Sequence, residues 1–331
     1  MRAVVLVGGF GTRMRPLTNH VPKSMLPVGH EPMISRLVGR LVDGGVTDVT
    51  LALGFKAEPF LEAFLDGQCH GAGLDYAVES EPLDTAGAIR FAAEHSGIDD
   101  TFVVVNGDII TDLDVSTLLA SHRAAGAEAT IHLTPVEDPS SFGIVEMDGD
   151  GRVARFVEKP PAGTMTSNLI NAGTYVVEPS VVERIPRGRP ASLEREVFPD
   201  LVERATLFAL STDDYWIDAG RPELYLKANL DLINGRRSER VDPIAPGAEV
   251  DPSAAINLSL IGAGAVVARG ASVTGSVVLP GATVCGGATV ERSIVMGRVG
   301  PRSVVRDSVI GADGDVPAET TLVDSRIPAS D

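Results

Sequence analysis

The chain has 331 residues, enough for two domains of ordinary size. Its 44% hydrophobic and 22% charged residues support a sizeable core and exclude a disordered chain. The 28 Lys and Arg against 45 Asp and Glu give a formal charge of −17, which repels nucleic-acid backbones and anionic lipid and excludes both as bulk partners.

The two cysteines, Cys69 and Cys285, match no metal or redox spacing. The apolar run after Met1 is too short for a signal peptide, and no stretch approaches the roughly 18 apolar residues of a membrane helix. A reduced, cytoplasmic protein with no membrane association is expected. Lysine is scarce, so Lys23, Lys56, Lys159 and Lys227 stand out against a chain that otherwise uses arginine. Residues 1–30 hold Arg2, Arg13, Arg15 and Lys23 with no carboxylate. Such a basic island in an acidic chain is the natural place for an anionic ligand.

In chain order, residues 2–7, 48–53, 74–79, 101–106 and 129–134 predict strands. Between them 32–42, 58–65, 86–95 and 115–124 carry helical spacing of apolar residues. The alternation predicts an α/β, Rossmann-like doubly wound sheet, with ligands at the carboxyl ends of the strands. Residues 142–147 and 152–157, around Asp148-Gly149-Asp150-Gly151, predict a β-hairpin. A strand over 171–177 and a helix over 222–233 complete a first domain, residues 1–237.

Residues 241–331 form a second domain of different rhythm. Aliphatics recur six residues apart, as at Val278, Val284 and Val290, with glycine or another small residue between them. This periodicity predicts a short parallel β-helix.

The loop Gly8-Gly9-Phe10-Gly11-Thr12-Arg13 follows a buried strand, so its amides can face a phosphate. It lacks the third glycine of a dinucleotide fingerprint and the Lys-Ser/Thr of a Walker A loop. The run from Leu6 through Thr18 to Pro22-Lys23 nevertheless resembles the signature of sugar-1-phosphate nucleotidyltransferases. Further matches follow in that family's order: Glu81-Pro-Leu-Asp-Thr-Ala-Gly87, Asn106-Gly-Asp108, Phe142-Gly143, Phe156-Val-Glu-Lys-Pro160, Asn171-Ala-Gly173 and Trp216-Ile-Asp218-Ala-Gly220. With the appended repeats, the chain is most similar to the GDP-mannose pyrophosphorylases (mannose-1-phosphate guanylyltransferases), whose repeats form a left-handed β-helix.

The resemblance implies that a sugar phosphate oxygen attacks the α-phosphorus of a nucleoside triphosphate and expels pyrophosphate. Little covalent work falls to the protein in such a reaction, so charge neutralisation and positioning dominate. By resemblance Arg13 clamps the pyrophosphate and Lys23 neutralises the α-phosphate. Leu6, Gly8, Gly9, Gly11, Thr12, Glu79, Asp84, Thr85, Ala86 and Gly87 bind the nucleotide. Asn106, Gly107, Gly143, Glu158, Lys159 and Asn171 receive the sugar phosphate. Asp108 and Asp218, from distant segments, can hold one Mg²⁺. Asp112 and Asp114 are expected to end a strand and to cap a helix instead.

A carboxylate at position 79, where pyrimidine-specific relatives present Gln, suits the adjacent N1–H and N2–H₂ donors of guanine. That favours GTP. Two residues depart from the family pattern: Ser24 replaces a second proline, and Asp84 replaces a common glycine. Mannose 1-phosphate is the expected acceptor, with glucose 1-phosphate, heptose 1-phosphate and a cyclitol phosphate such as valienol 1-phosphate as alternatives. An acyltransferase is set aside because the repeats contain no histidine. A glycosyltransferase using Asp112 and Asp114 leaves the Arg13–Lys23 island unexplained. A non-catalytic regulatory paralogue remains the alternative of another class. Assembly into a homo-oligomer through the β-helix is expected.

Overall fold

A computed structural model describes residues 1–9, 11–54, 57–161 and 167–329; Phe10 and Lys56 lie outside the described residues. The main strands of the α/β part are β1 (Arg2–Leu6), β2 (Asp48–Leu53), β3 (Ala72–Val78), β4 (Phe102–Asn106), β5 (Ala129–Pro135), β6 (Gly143–Met147), β7 (Val153–Glu158), β8 (Leu169–Val177) and β9 (Leu207–Ser211). The helices are α1 (Met33–Asp43), α2 (Glu58–Ala63), α3 (Asp84–His95), α4 (Val115–Ala125), α5 (Pro179–Arg184), α6 (Phe198–Glu203) and α7 (Pro222–Ile233). Two compact units emerge: Met1–Gly9 with Leu37–Trp216, and Phe10–Arg36 with Ile217–Asp331. No helix among the described residues is long and apolar enough to cross a membrane.

In the first unit β4, β1, β2 and β3 are parallel neighbours in that order. Strand β8 pairs antiparallel with both β4 and β5, and the hairpin β6–β7 extends the sheet beyond β8. Both faces are covered, which is why β1 reads as an unbroken apolar run, Ala3-Val4-Val5. The alternation of β8 divides its side chains between the faces. Tyr175 and Val177 join a core with Ala88, Ile89 and Ala92 of α3 and Phe198 and Leu201 of α6. Val176, between them, packs with Leu118 of α4 instead. The sheet is therefore doubly wound.

The expected hairpin is present, in register Ile144↔Val157. Its turn is held by Asp148 Oδ1, which accepts from the amides of Asp150 and Arg152 at 3.0 Å each. Asp114 caps α4 as expected, accepting from Ser116 N at 2.9 Å. Strand β9, which the sequence pattern did not reveal, lies parallel to β5.

In the second unit three parallel five-stranded sheets form the sides of the β-helix, consistent with the expected left-handed type. The coil length departs from a uniform six-residue repeat. Register pairs Glu249↔Val266, Val266↔Thr283, Thr283↔Arg298 and Arg298↔Asp315 give coils of 17, 17, 15 and 17 residues. One corner of each coil is shortened around a buried serine. The amides of Ser276, Ser293, Ser308 and Ser325 each donate to the Oγ of the serine one coil earlier, all at 3.0 Å. Inside, Val267, Val284, Val299 and Val316 stack with Val273, Val290 and Val305 in an apolar core.

Candidate active site

The parallel strands of the first unit end together, and the predicted nucleotide residues leave from those ends. Val7 N donates to Ala52 O (3.0 Å), Gly107 N to Leu6 O (2.8 Å) and Glu79 N to Leu53 O (2.8 Å). These bonds bring Leu6, Gly8, Gly9, Asn106, Gly107, Asp108 and Glu79 to one sheet edge. Close approach demands the glycine at 107. A β-carbon there would lie 2.4 Å from Val7 Cγ1 and 2.9 Å from Leu6 O. Asp108 follows in the turn between β4 and the short strand Ile109–Thr111, partly buried.

Glu79 sits just past β3. Partial burial raises its pKa above the ordinary glutamate value, against one hydrogen bond from Leu83 N. The start of α3 is already well satisfied. Ala86 N and Gly87 N both donate to Ala191 O, and Thr85 Oγ1 donates to Glu194 Oε2 at 2.9 Å. Asp84 adopts a left-handed backbone, φ 59°, and its carboxylate lies 2.7 Å from Arg195 Nη2. The carboxylate that departs from the family pattern is thus paired with a guanidinium.

A second group forms around the end of the hairpin and the bulge of β8. Gly143 stands opposite Glu158, and Glu158 Oε1 is 3.3 Å from Lys159 Nζ. Lys159 has φ 46° and an exposed side chain. Asn171 donates to Tyr175 OH at 3.0 Å, while its Oδ1 accepts from Gly173 N at 3.0 Å. This local bonding breaks the ladder between Asn171 and Tyr175 and turns Gly173 towards Asn106. Trp216 donates its indole N–H to Ala172 O at 2.8 Å and meets Phe142 edge-on, 5.6 Å between centroids. The indole is thus held by the backbone of β8. Burial, with Glu194, Glu158 and Asp108 nearby, drives the Tyr175 phenol strongly upward and keeps it neutral.

Arg13, Lys23 and Asp218 belong to the second unit. Gly11, at φ 63°, opens a short 3₁₀ turn over Thr12–Met14, and its carbonyl accepts from Thr18 Oγ1 at 2.8 Å. Thr12 and Arg13 are exposed while Met14 is fully buried beneath them. Lys23 begins a second 3₁₀ turn, Lys23–Met25, in which Ser24 is buried. Asp218 Oδ1 accepts from Gly220 N at 2.8 Å, ahead of α7. No cluster of three or more His, Cys, Asp or Glu able to hold a metal occurs among the described residues.

Residues the sequence reading passed over are Tyr175, Glu194 and Arg195. Nothing local marks them: Arg195 meets Asp84 across 111 positions of sequence.

A family model described as nucleotidyl transferase matches residues 2–235, and one described as GlmU-like C-terminal hexapeptide matches residues 244–325. A mannose-1-phosphate guanyltransferase of Schizosaccharomyces pombe is 39% identical over 267 residues, covering 77% of this chain and 73% of that protein. The crystal structure of HddC from Yersinia pseudotuberculosis superposes with a TM-score of 0.60 at 31% identity, covering 69% of this chain and 97% of that one; HddC has also been solved with GMP-PN. A putative glucose-1-phosphate thymidylyltransferase from Bacillus anthracis superposes at 0.63 with 26% identity, covering 69% and 94% of the two chains. With its α/β sheet, its glycine-rich first loop and a family match over more than two thirds of its length, this chain belongs to the nucleotidyl transferase family.

Proposed function

We propose that the protein makes GDP-mannose and pyrophosphate from GTP and mannose 1-phosphate. The observation that carries this reading is the 39% identity to a mannose-1-phosphate guanyltransferase across three quarters of the chain. A partly buried carboxylate at Glu79, beside the strand ends, supports guanine.

In this reading Arg13 grips the departing pyrophosphate with its forked guanidinium, and Lys23 places a compact charge at the α-phosphate. The backbone of Gly8, Gly9, Gly11 and Thr12 lines the nucleotide. The start of α3 at Thr85, Ala86 and Gly87 packs beside it with its amides already bonded within the chain, and Glu79 accepts from the guanine N–H donors. Asp84 keeps its pairing with Arg195 and adds no uncompensated charge. Lys159 meets the sugar phosphate and Glu158 the sugar hydroxyls. Asn106, Gly107, Gly143 and Asn171 shape the sugar side, with Asn171 acting through the β8 bulge that it holds.

The chemistry of the proposed donors suits a divalent cation. Asp108 and Asp218 supply hard carboxylate oxygens, and Mg²⁺ takes one or two such ligands alongside water and substrate phosphates. When bound it would neutralise phosphate charge. The remaining steps fall to the chain: the phosphates are oriented by Arg13 and Lys23, and the acceptor is held in line by Lys159.

The same reading carries a catalytic part over residues 1–237, a repeat part over 241–331, and a cytoplasmic enzyme whose two cysteines stay free. It also carries self-association through the repeats, which a monomer in light scattering at micromolar concentration would exclude.

The reverse reaction tests the proposal. GDP-mannose with pyrophosphate and Mg²⁺ should yield GTP and mannose 1-phosphate faster than GDP-glucose, UDP-glucose or dTDP-glucose yields its own products. No cleavage of GDP-mannose would overturn it.

A further inference from the structure

One residue of the β-helix reaches the first loop of the same unit. Arg326, in the last strand of its sheet, donates from Nη1 to Arg13 O at 3.2 Å and to Arg15 O at 3.0 Å. The loop's own bonds run from Met14 N to Gly11 O, Arg15 N to Thr12 O and Leu17 N to Met14 O. They leave the carbonyls of Arg13 and Arg15 to Arg326. Two other contacts seat the loop on the same end of the β-helix. Pro16 lies against Gly311, where a β-carbon would come within 2.8 Å of Pro16 Cβ. His20 Nε2 is 2.5 Å from Asp313 Oδ2. Of the three contacts only Arg326 grips the backbone, and it does so on both sides of Met14.

We propose that Arg326 is a positioning residue for the Arg13 phosphate clamp. The inference rests on the reading of Arg13 given above. An exposed arginine on a three-residue turn loses backbone and side-chain freedom when it closes on phosphate, and that loss weakens binding. Fixing the carbonyl of Arg13 and that of Arg15 removes part of the loss before the nucleotide arrives.

The test uses the full chain and four variants: Arg326→Ala, Arg326→Lys, Arg13→Ala and the double variant Arg13→Ala/Arg326→Ala. Arg326→Ala should raise KM for the nucleoside triphosphate about fivefold, the size expected for exposed hydrogen bonds from a charged donor. KM for the sugar phosphate and the thermal midpoint should stay at wild-type values. Arg326→Lys, which retains charge and donor, should recover most of the loss. In the Arg13→Ala background the Arg326→Ala change should add nothing, because the group it positions is gone. An equal increment in that background, or parallel rises in both KM values with a lowered midpoint, would mark a merely structural residue and overturn the proposal. Unchanged nucleotide KM in Arg326→Ala, with Arg13→Ala impaired, would overturn it alone. Wild-type kinetics in Arg13→Ala would overturn the clamp reading and this proposal together.

Discussion

Gly173 approaches Asn106 so closely that a β-carbon at position 173 would lie 2.6 Å from Asn106 Nδ2. The backbone there is left-handed, φ 76°, and is held by Asn171 Oδ1. Geometry and space both demand glycine. Gly173→Ala should therefore cost about 2 kcal/mol in stability, as strain at a special φ combined with a clash usually does. It should also displace Asn106 and raise KM for the sugar phosphate more than KM for the nucleotide. Urea unfolding and steady-state kinetics on the same variant read both effects.

Glu79 bears on the base. Glu79→Gln keeps the shape, removes the charge and places an N–H₂ where a second acceptor stood. The expected result is a rise of about tenfold in KM for GTP, the loss of one charge-assisted bond, with a smaller change for UTP or dTTP. Because burial raises the carboxyl pKa, KM for GTP in the unaltered enzyme should start to rise above the usual glutamate range as pH falls. Equal changes for all triphosphates would remove Glu79 from base recognition.

His132, on β5, provides a pH probe of stability. Burial lowers its pKa from 6.5 to about 4, and Nε2 lies 2.8 Å from Thr212 Oγ1. Between these values the unfolded chain binds a proton that the folded chain refuses, so stability falls as pH drops from 6.5 towards 4. The full effect amounts to ~3 kcal/mol, and nothing from this group changes above neutrality. Denaturant midpoints at pH 7.5 and 5 should differ in wild type and converge in His132→Leu.

The serine ladder holds one shortened corner of each coil and can be broken at one rung. In Ser293→Ala the buried amide of Ser308 loses its acceptor, and the expected cost is about 1–3 kcal/mol. Ser293→Thr, which retains the hydroxyl, should cost less if the added methyl is accommodated. A neutral Ser293→Ala would mean that the corner is held by the stacked aliphatics alone.

Much of this fold was legible because burial on both faces writes itself into composition. The runs Ala3–Leu6 of β1 and Phe102–Val105 of β4 hold no polar residue, and Asp148-Gly149-Asp150-Gly151 spells out a turn. Strand β9 was not legible, since Leu207–Ser211 takes its meaning from parallel pairing with a strand 78 positions earlier. The six-residue rhythm identified the repeats but hid the 17- and 15-residue coils, whose corners are shortened at serines bonded from one coil to the next and, in the 15-residue coil, also between Val295 and Val299. The candidate residues were found through their short motifs. Their partners were not: Arg195 for Asp84 and Arg326 for the loop carry no local signature, because long-range charge pairing leaves no periodicity.

The central claim is most directly tested by pyrophosphate release with Mg²⁺ across GTP, ATP, UTP, CTP and dTTP. Each triphosphate is paired in turn with mannose, glucose, heptose and cyclitol 1-phosphates. Release from GTP with mannose 1-phosphate should exceed every other pair. A different leading pair would contradict the assigned substrates, and no release from any pair would contradict catalysis itself.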